Sequence, residues 1–99
     1  MKGKRQKGRG TTLQEYLSEE MKDPEYRRLY EEADIEFRVA LEITKAREHA
    51  GMSQHELADA IHTKQQTVSR IEQGAQNVTI VTLNKIARAL HQELQVRIV

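Results

Sequence analysis

Apolar residues recur at helical spacing through most of the chain and switch to strict alternation only at its end. Leu13, Tyr16, Leu17 and Met21 form a first stripe within residues 12–22, opened by Thr12 with Glu15 in capping-box register. Asp23-Pro24 restarts the pattern, with Asp as N-cap and Pro at the first helical position. Tyr26, Leu29, Tyr30 and Ala33 then follow at i, i+3, i+4, i+7, giving a helix to about Glu32. A third helix is predicted from Asp34 to Ala50, stopped by Gly51, with Val39, Ile43, Ala46 and Ala50 facing inward; the pattern leaves open whether it continues from the second. Ser53 with Glu56, and Thr63 with Gln66, are two further capping boxes. They predict two short helices joined by a tight turn, the first with Leu57, Ala58 and Ile61 on one face, the second with Val68 and Ile71. Gly74 stands where a helix end requires positive φ. Past the loop AQNV, Thr79 caps a pattern of Leu83, Ile86, Ala87 and Leu90.

From Glu93 to Val99 the period becomes two: Leu94, Val96 and Ile98 alternate with Glu93, Gln95 and Arg97. No second convincing strand exists, so this one has no edge of its own to pair with. A two-fold dimer or another protein's sheet would supply one, and an extended tail packed on the helices is the alternative. The expectation is an all-α bundle of about five to six helices with a short C-terminal β-strand. It divides into a basic tail (1–11), a helical N-terminal extension (12–34), a bundle (35–92) and the strand (93–99).

Charge sharpens this division. The chain of 99 residues has a net charge of +1, but residues 1–10 hold five basic residues and no acid, whereas 13–36 hold nine acids against three bases. Blocks of opposite sign point to more than one partner. The first ten residues cannot build a core and are expected to be disordered, either as a solvated tail or as an arm on DNA phosphates. There is no cysteine, so no disulfide frame and no thiol chemistry. No apolar run approaches a membrane span and no signal-peptide core follows the basic start, which places the chain in the cytoplasm.

The candidate chemistry lies in SQHELADAIHTKQQTVSRIEQG, residues 53–74. Two helices of about nine residues joined by a turn of two to four match a helix-turn-helix. The second opens with Lys64, Gln65, Gln66 and Thr67, and its polar side adds Ser69 and Arg70. Glutamine and arginine can bond both edge atoms of a base, and lysine can hold a phosphate. Gln65, Gln66 and Arg70 are therefore candidate base readers. Thr63, Lys64 and Thr67 are candidate phosphate contacts, with Ser69 on the same face. Gln54, opening the first helix, is expected to touch phosphate and brace the second. Val68, Ile71 and Glu72 read as structural. A dimer would read two half-sites, hence a palindromic duplex.

These residues resemble the lambda-repressor-like (XRE/Cro) DNA-binding domain from about Ile35 to Leu90. The resemblance rests on Arg47, Gly51, Met52-Ser53-Gln54, Leu57-Ala58, Val68-Ser69-Arg70-Ile71-Glu72, Gly74, Leu83, Ile86-Ala87 and Leu90. Where that family often has Gly in the turn, this chain has His62, which tolerates positive φ less well.

All four aromatics, Tyr16, Tyr26, Tyr30 and Phe37, precede the helix-turn-helix and share a region with the acidic excess. With Leu29 they are candidate contacts for a basic protein partner; the alternative is that they form the core of a helical extension. The order TLQEYL, KDPEYRRLYEEADIEF, helix-turn-helix, terminal strand is similar to HigA-type antitoxins of type II toxin–antitoxin modules over residues 12–99. That resemblance implies an antitoxin that neutralises a basic RelE/HigB-like ribonuclease toxin and, as a homodimer, represses its own operon. A stand-alone XRE-family repressor is the alternative, and a protein-binding module with little DNA affinity is a third reading.

Catalysis has no visible basis. His49, His55, His62 and His91 carry no HExxH or Cys/His spacing, and bland positions at helix ends account for them. Glu19-Glu20 and Glu31-Glu32 are adjacent on exposed helix and do not converge. The expectation is no enzyme, no metal, no cofactor and no small-molecule ligand.

Overall fold

A computed structural model describes residues 11–99; the expected disorder of the basic tail lies outside them for residues 1–10. Among the described residues there are six helices and no strand: α1 (Leu13–Glu20), α2 (Pro24–Glu32), α3 (Ile35–His49), α4 (Gln54–Ala60), α5 (Gln65–Glu72) and α6 (Ile80–Ala89). Each N-terminus except that of α5 is capped by the side chain that precedes it. Thr12–Glu15 and Ser53–Glu56 form complete capping boxes, and Asp23, Asp34 and Thr79 accept from backbone N–H groups of the first turn. Asp34 also decides the question left open by the sequence. Ala33 is extended, with ψ 150°, and α2 and α3 are separate helices.

Four helices end in the same way. Gly51, His62, Gly74 and His91 all adopt left-handed backbone, with φ between 59° and 73°. Each donates its N–H three residues back, and the residue after it reaches five residues back, as in Thr63 N–H to Ala58 O at 2.9 Å and Gln92 N–H to Ala87 O at 2.8 Å. This Schellman arrangement satisfies the last carbonyls of α3, α4, α5 and α6. His62 and His91 thus do a glycine's conformational work, at a steric cost of roughly 1–2 kcal/mol each.

One predicted cap is corrected by this geometry. The Thr63–Gln66 box does not form; Lys64 is the N-cap of α5 and makes no side-chain capping bond. Thr63 is already committed, because its N–H closes the end of α4. The predicted C-terminal strand is also absent: residues 93–99 have no regular structure among the described residues. The physical reason is the missing edge, since a lone strand within one chain has nothing to bond.

Ile43, Leu57, Ala58, Ile61, Val68, Ile71, Ile86 and Leu90 form one buried cluster, flanked by Val39, Ala46, Met52, Val78, Leu83 and Ala89. Ala50 was expected inside but is exposed as the C-cap of α3, and Ala40 is buried instead. Helix α3 is the common support: α1, α2 and α5 all pack against it, while α4 packs on α5 and α6.

Candidate nucleic-acid interface

Helix α5 turns two sides to different environments. Val68 and Ile71 are buried in the core, while Lys64, Gln65, Gln66 and Arg70 are exposed and Thr63, Thr67 and Ser69 are half-buried. Gln65 and Gln66 open α5, and Arg70, in its last turn, stands one helical turn after Gln66 on the same side of the helix. Ser69 is partly engaged, since Gln73 Nε2 donates to its Oγ at 3.4 Å. With no side chain capping it, the first turn of α5 leaves its leading N–H groups to solvent or to a phosphate.

What holds α5 is a charge network with its centre inside the protein. Arg47 of α3 grips Glu72 of α5 with both prongs, Nε to Oε2 at 2.7 Å and Nη2 to Oε1 at 3.0 Å. Its remaining Nη1 donates to the Met52 carbonyl at 2.8 Å, tying in the link to α4. Gln54 adds a bond from Nε2 to Glu72 Oε1 at 3.1 Å. The Arg47 and Glu72 side chains are only 13% and 5% exposed. The hydrogen bonds to Glu72 push the Arg47 guanidinium still higher than its ordinary value, against the opposing effect of burial. Gln54 thus bonds to the end of α5, and its predicted contact with phosphate would be made from that anchored position.

Sequence reasoning set Glu72 aside as structural without finding its partner. A signal was present: Val68, Ile71 and Glu72 stand at i, i+3, i+4, so an acid lies on the apolar stripe and requires a base. Which base it meets, 25 positions upstream, no local pattern could say.

The candidate partner-binding residues are distributed differently. Tyr26 is 8% exposed, and Lys45 Nζ stands 5.3 Å from its ring centre. Tyr30 donates its O–H to Glu42 at 2.7 Å, with the Arg38 guanidinium 5.3 Å from the ring. The bond to Glu42, together with burial, pushes the Tyr30 phenol up to about 12. Tyr16 bonds Glu48 at 3.4 Å and packs on the His49 ring at 5.4 Å. Three tyrosines therefore attach α1 and α2 to α3. Phe37 is elsewhere: a Cβ on Gly74 would stand 3.0 Å from its Cδ1, so the ring closes over the end of α5. Leu29 remains exposed, beside the acids Glu25 and Glu32 on the same helix.

A helix-turn-helix family model matches residues 43–96, more than half of the chain. The chain belongs to the XRE-type helix-turn-helix family. No curated protein and no solved structure matches it. The helix-turn-helix is α4 and α5, with α5 in the position of the recognition helix, and the family assigns the protein to sequence-specific DNA binding and transcription regulation. Helices α1 and α2 lie before the matched segment. Among the described residues no three His, Cys, Asp or Glu side chains converge as a metal site, and no helix is long and apolar enough to cross a membrane.

Proposed function

We propose that this protein is an antitoxin that neutralises a basic RelE-like ribonuclease toxin and, as a homodimer on a palindromic operator, represses its own operon. The observation that carries the reading is the pair α1–α2. A helix-turn-helix domain with a complete core of its own bears an additional acidic helical layer, with Glu25, Leu29, Glu31 and Glu32 exposed. A ribonuclease must be basic to grip RNA phosphates, so acidic charge steers its approach.

On DNA, Gln65, Gln66 and Arg70 read base edges, and Lys64, Thr63 and Thr67 hold phosphates. Gln66→Ala is expected to cost about 1–3 kcal/mol of operator affinity and relax specificity at one base, with folding unchanged. Lys64→Ala weakens all sequences and lowers the salt slope. Unchanged base preference of Gln66→Ala in a selection from randomised duplexes would refute this assignment.

For the antitoxin role, the full chain is co-expressed with any small basic protein found encoded beside it and the product is sized. A stable complex that is lost on combining Glu25→Lys, Leu29→Ser and Glu32→Lys supports the reading. A chain that elutes alone yet shifts its promoter DNA is a stand-alone repressor. The inward use of Tyr16, Tyr26 and Tyr30 favours that second reading, because it gives α1–α2 a structural task.

A further inference from the structure

Residues 93–99 keep their strand pattern without forming a strand. Val96 and Ile98 are 66% and 98% exposed, and Leu94 is half-buried. Among the described residues no backbone–backbone hydrogen bond involves this segment, the last being Gln92 N–H to Ala87 O at 2.8 Å. Glu93 and Arg97 make no ion pair there, and in an extended chain they cannot make one with each other. Four residues of strand span roughly 13 Å.

We infer that the occupant of this edge is the same segment of a second copy, paired antiparallel with the two-fold axis at Gln95. The inference rests on the homodimer proposed above and adds its register. In antiparallel pairing, opposite residues point to the same face. Centring on Gln95 places Leu94 opposite Val96 on one face. On the other it places Glu93 of each copy opposite Arg97 of its mate, so both charges are neutralised twice by symmetry. Centring on Val96 keeps an apolar face but sets Glu93 opposite Val99 and Arg97 opposite Gln95, with no charge matched. A shift of centre by half a residue sets Leu94 opposite Arg97. Charge complementarity thus selects one register.

The test uses the full chain and two charge reversals, with association followed by sedimentation. Glu93→Lys alone opposes two bases, and Arg97→Glu alone opposes two acids, so each dimerises about tenfold more weakly than the native chain. Mixed one to one, the two variants regain both pairs as a heterodimer and associate like the native protein. Because both positions are exposed, helical content by circular dichroism stays at the native level in each. The cysteine-free sequence supplies a second measurement. Gln95→Cys brings two thiols together on the axis and cross-links under mild oxidant, whereas Arg97→Cys leaves them too far apart. A native dimer whose single reversals still dimerise, or whose mixture is not rescued, overturns the register and leaves the dimer standing. A native chain that stays monomeric overturns the dimer and the register together.

Discussion

The recognition helix and the N-terminal helices lean on the same support, each through a buried acid. Glu72 of α5 lies on that helix's apolar stripe and meets Arg47; Glu20 of α1 lies on the stripe of Tyr16 and Leu17 and meets Lys45, two positions earlier on α3. The chemistry of the two bases separates them. Arg47 is a planar fork that bonds Glu72 twice and a carbonyl once, with little exposure. Lys45 is a point charge 3.2 Å from Glu20 and 3.5 Å from Glu48, with its side chain 22% exposed. Burial works against its charge, yet Glu48 and Glu20 hold its pKa above the ordinary lysine value. The lesson is one of tolerance. A base-reading helix must be fixed in angle and register, which a bidentate pair does. A charge-and-ring contact holds a layer in place without that directional constraint.

The sharpest break in the comparison comes from removing each base in turn. Arg47→Ala leaves Glu72 buried without its partner and is expected to cost about 3–5 kcal/mol, read as a fall in urea midpoint. Lys45→Ala is expected to cost about 1–2 kcal/mol, because the lysine side chain is itself 22% exposed and its removal opens Glu20 to water. Equal losses would show that the two supports do not differ. Gly74→Ala, also about 1–2 kcal/mol, tests the end of α5: the new Cβ is strained at φ +71° and meets Phe37. Phe37→Leu in the same chain should recover only the steric part.

The smallest effect sharpens the account of α2. Tyr30→Phe removes the bond to Glu42 and is expected to cost about 0.5–1 kcal/mol. The folded phenol sits at about 12 against 10 in the unfolded chain, so the native state holds its proton more tightly. Its contribution is complete below pH 10 and is lost as the pH rises towards 12. Burial pushes Tyr26 upward as well. A native protein losing stability between pH 10 and 12, with a shallower slope in Tyr30→Phe, is the expected result; identical slopes would refute it.

Much of the fold was legible because helix ends are local. Thr12, Asp23, Asp34, Ser53 and Thr79 cap what they precede, and Gly51 and Gly74 end what they follow. Thr63 misled because two local uses competed for one residue, and the end of α4 took it. His91 carried no terminator signal by composition, yet it ends α6 with the same backbone as a glycine.

The sequence by itself determined where every helix but α5 starts, most of the apolar faces, and that Lys64, Gln65, Gln66 and Arg70 are exposed, since all of these depend on spacing within one helical turn. Its pattern put Glu20 on exposed helix, whereas the structure buries that acid at 6% exposure against Lys45, as it buries the Glu72 carboxylate against Arg47. Only the tertiary structure decided which base each acid meets, that Phe37 closes over Gly74, and that the tyrosines turn towards α3. Those outcomes depend on how helices distant in sequence cross, and a one-dimensional pattern carries no crossing angle.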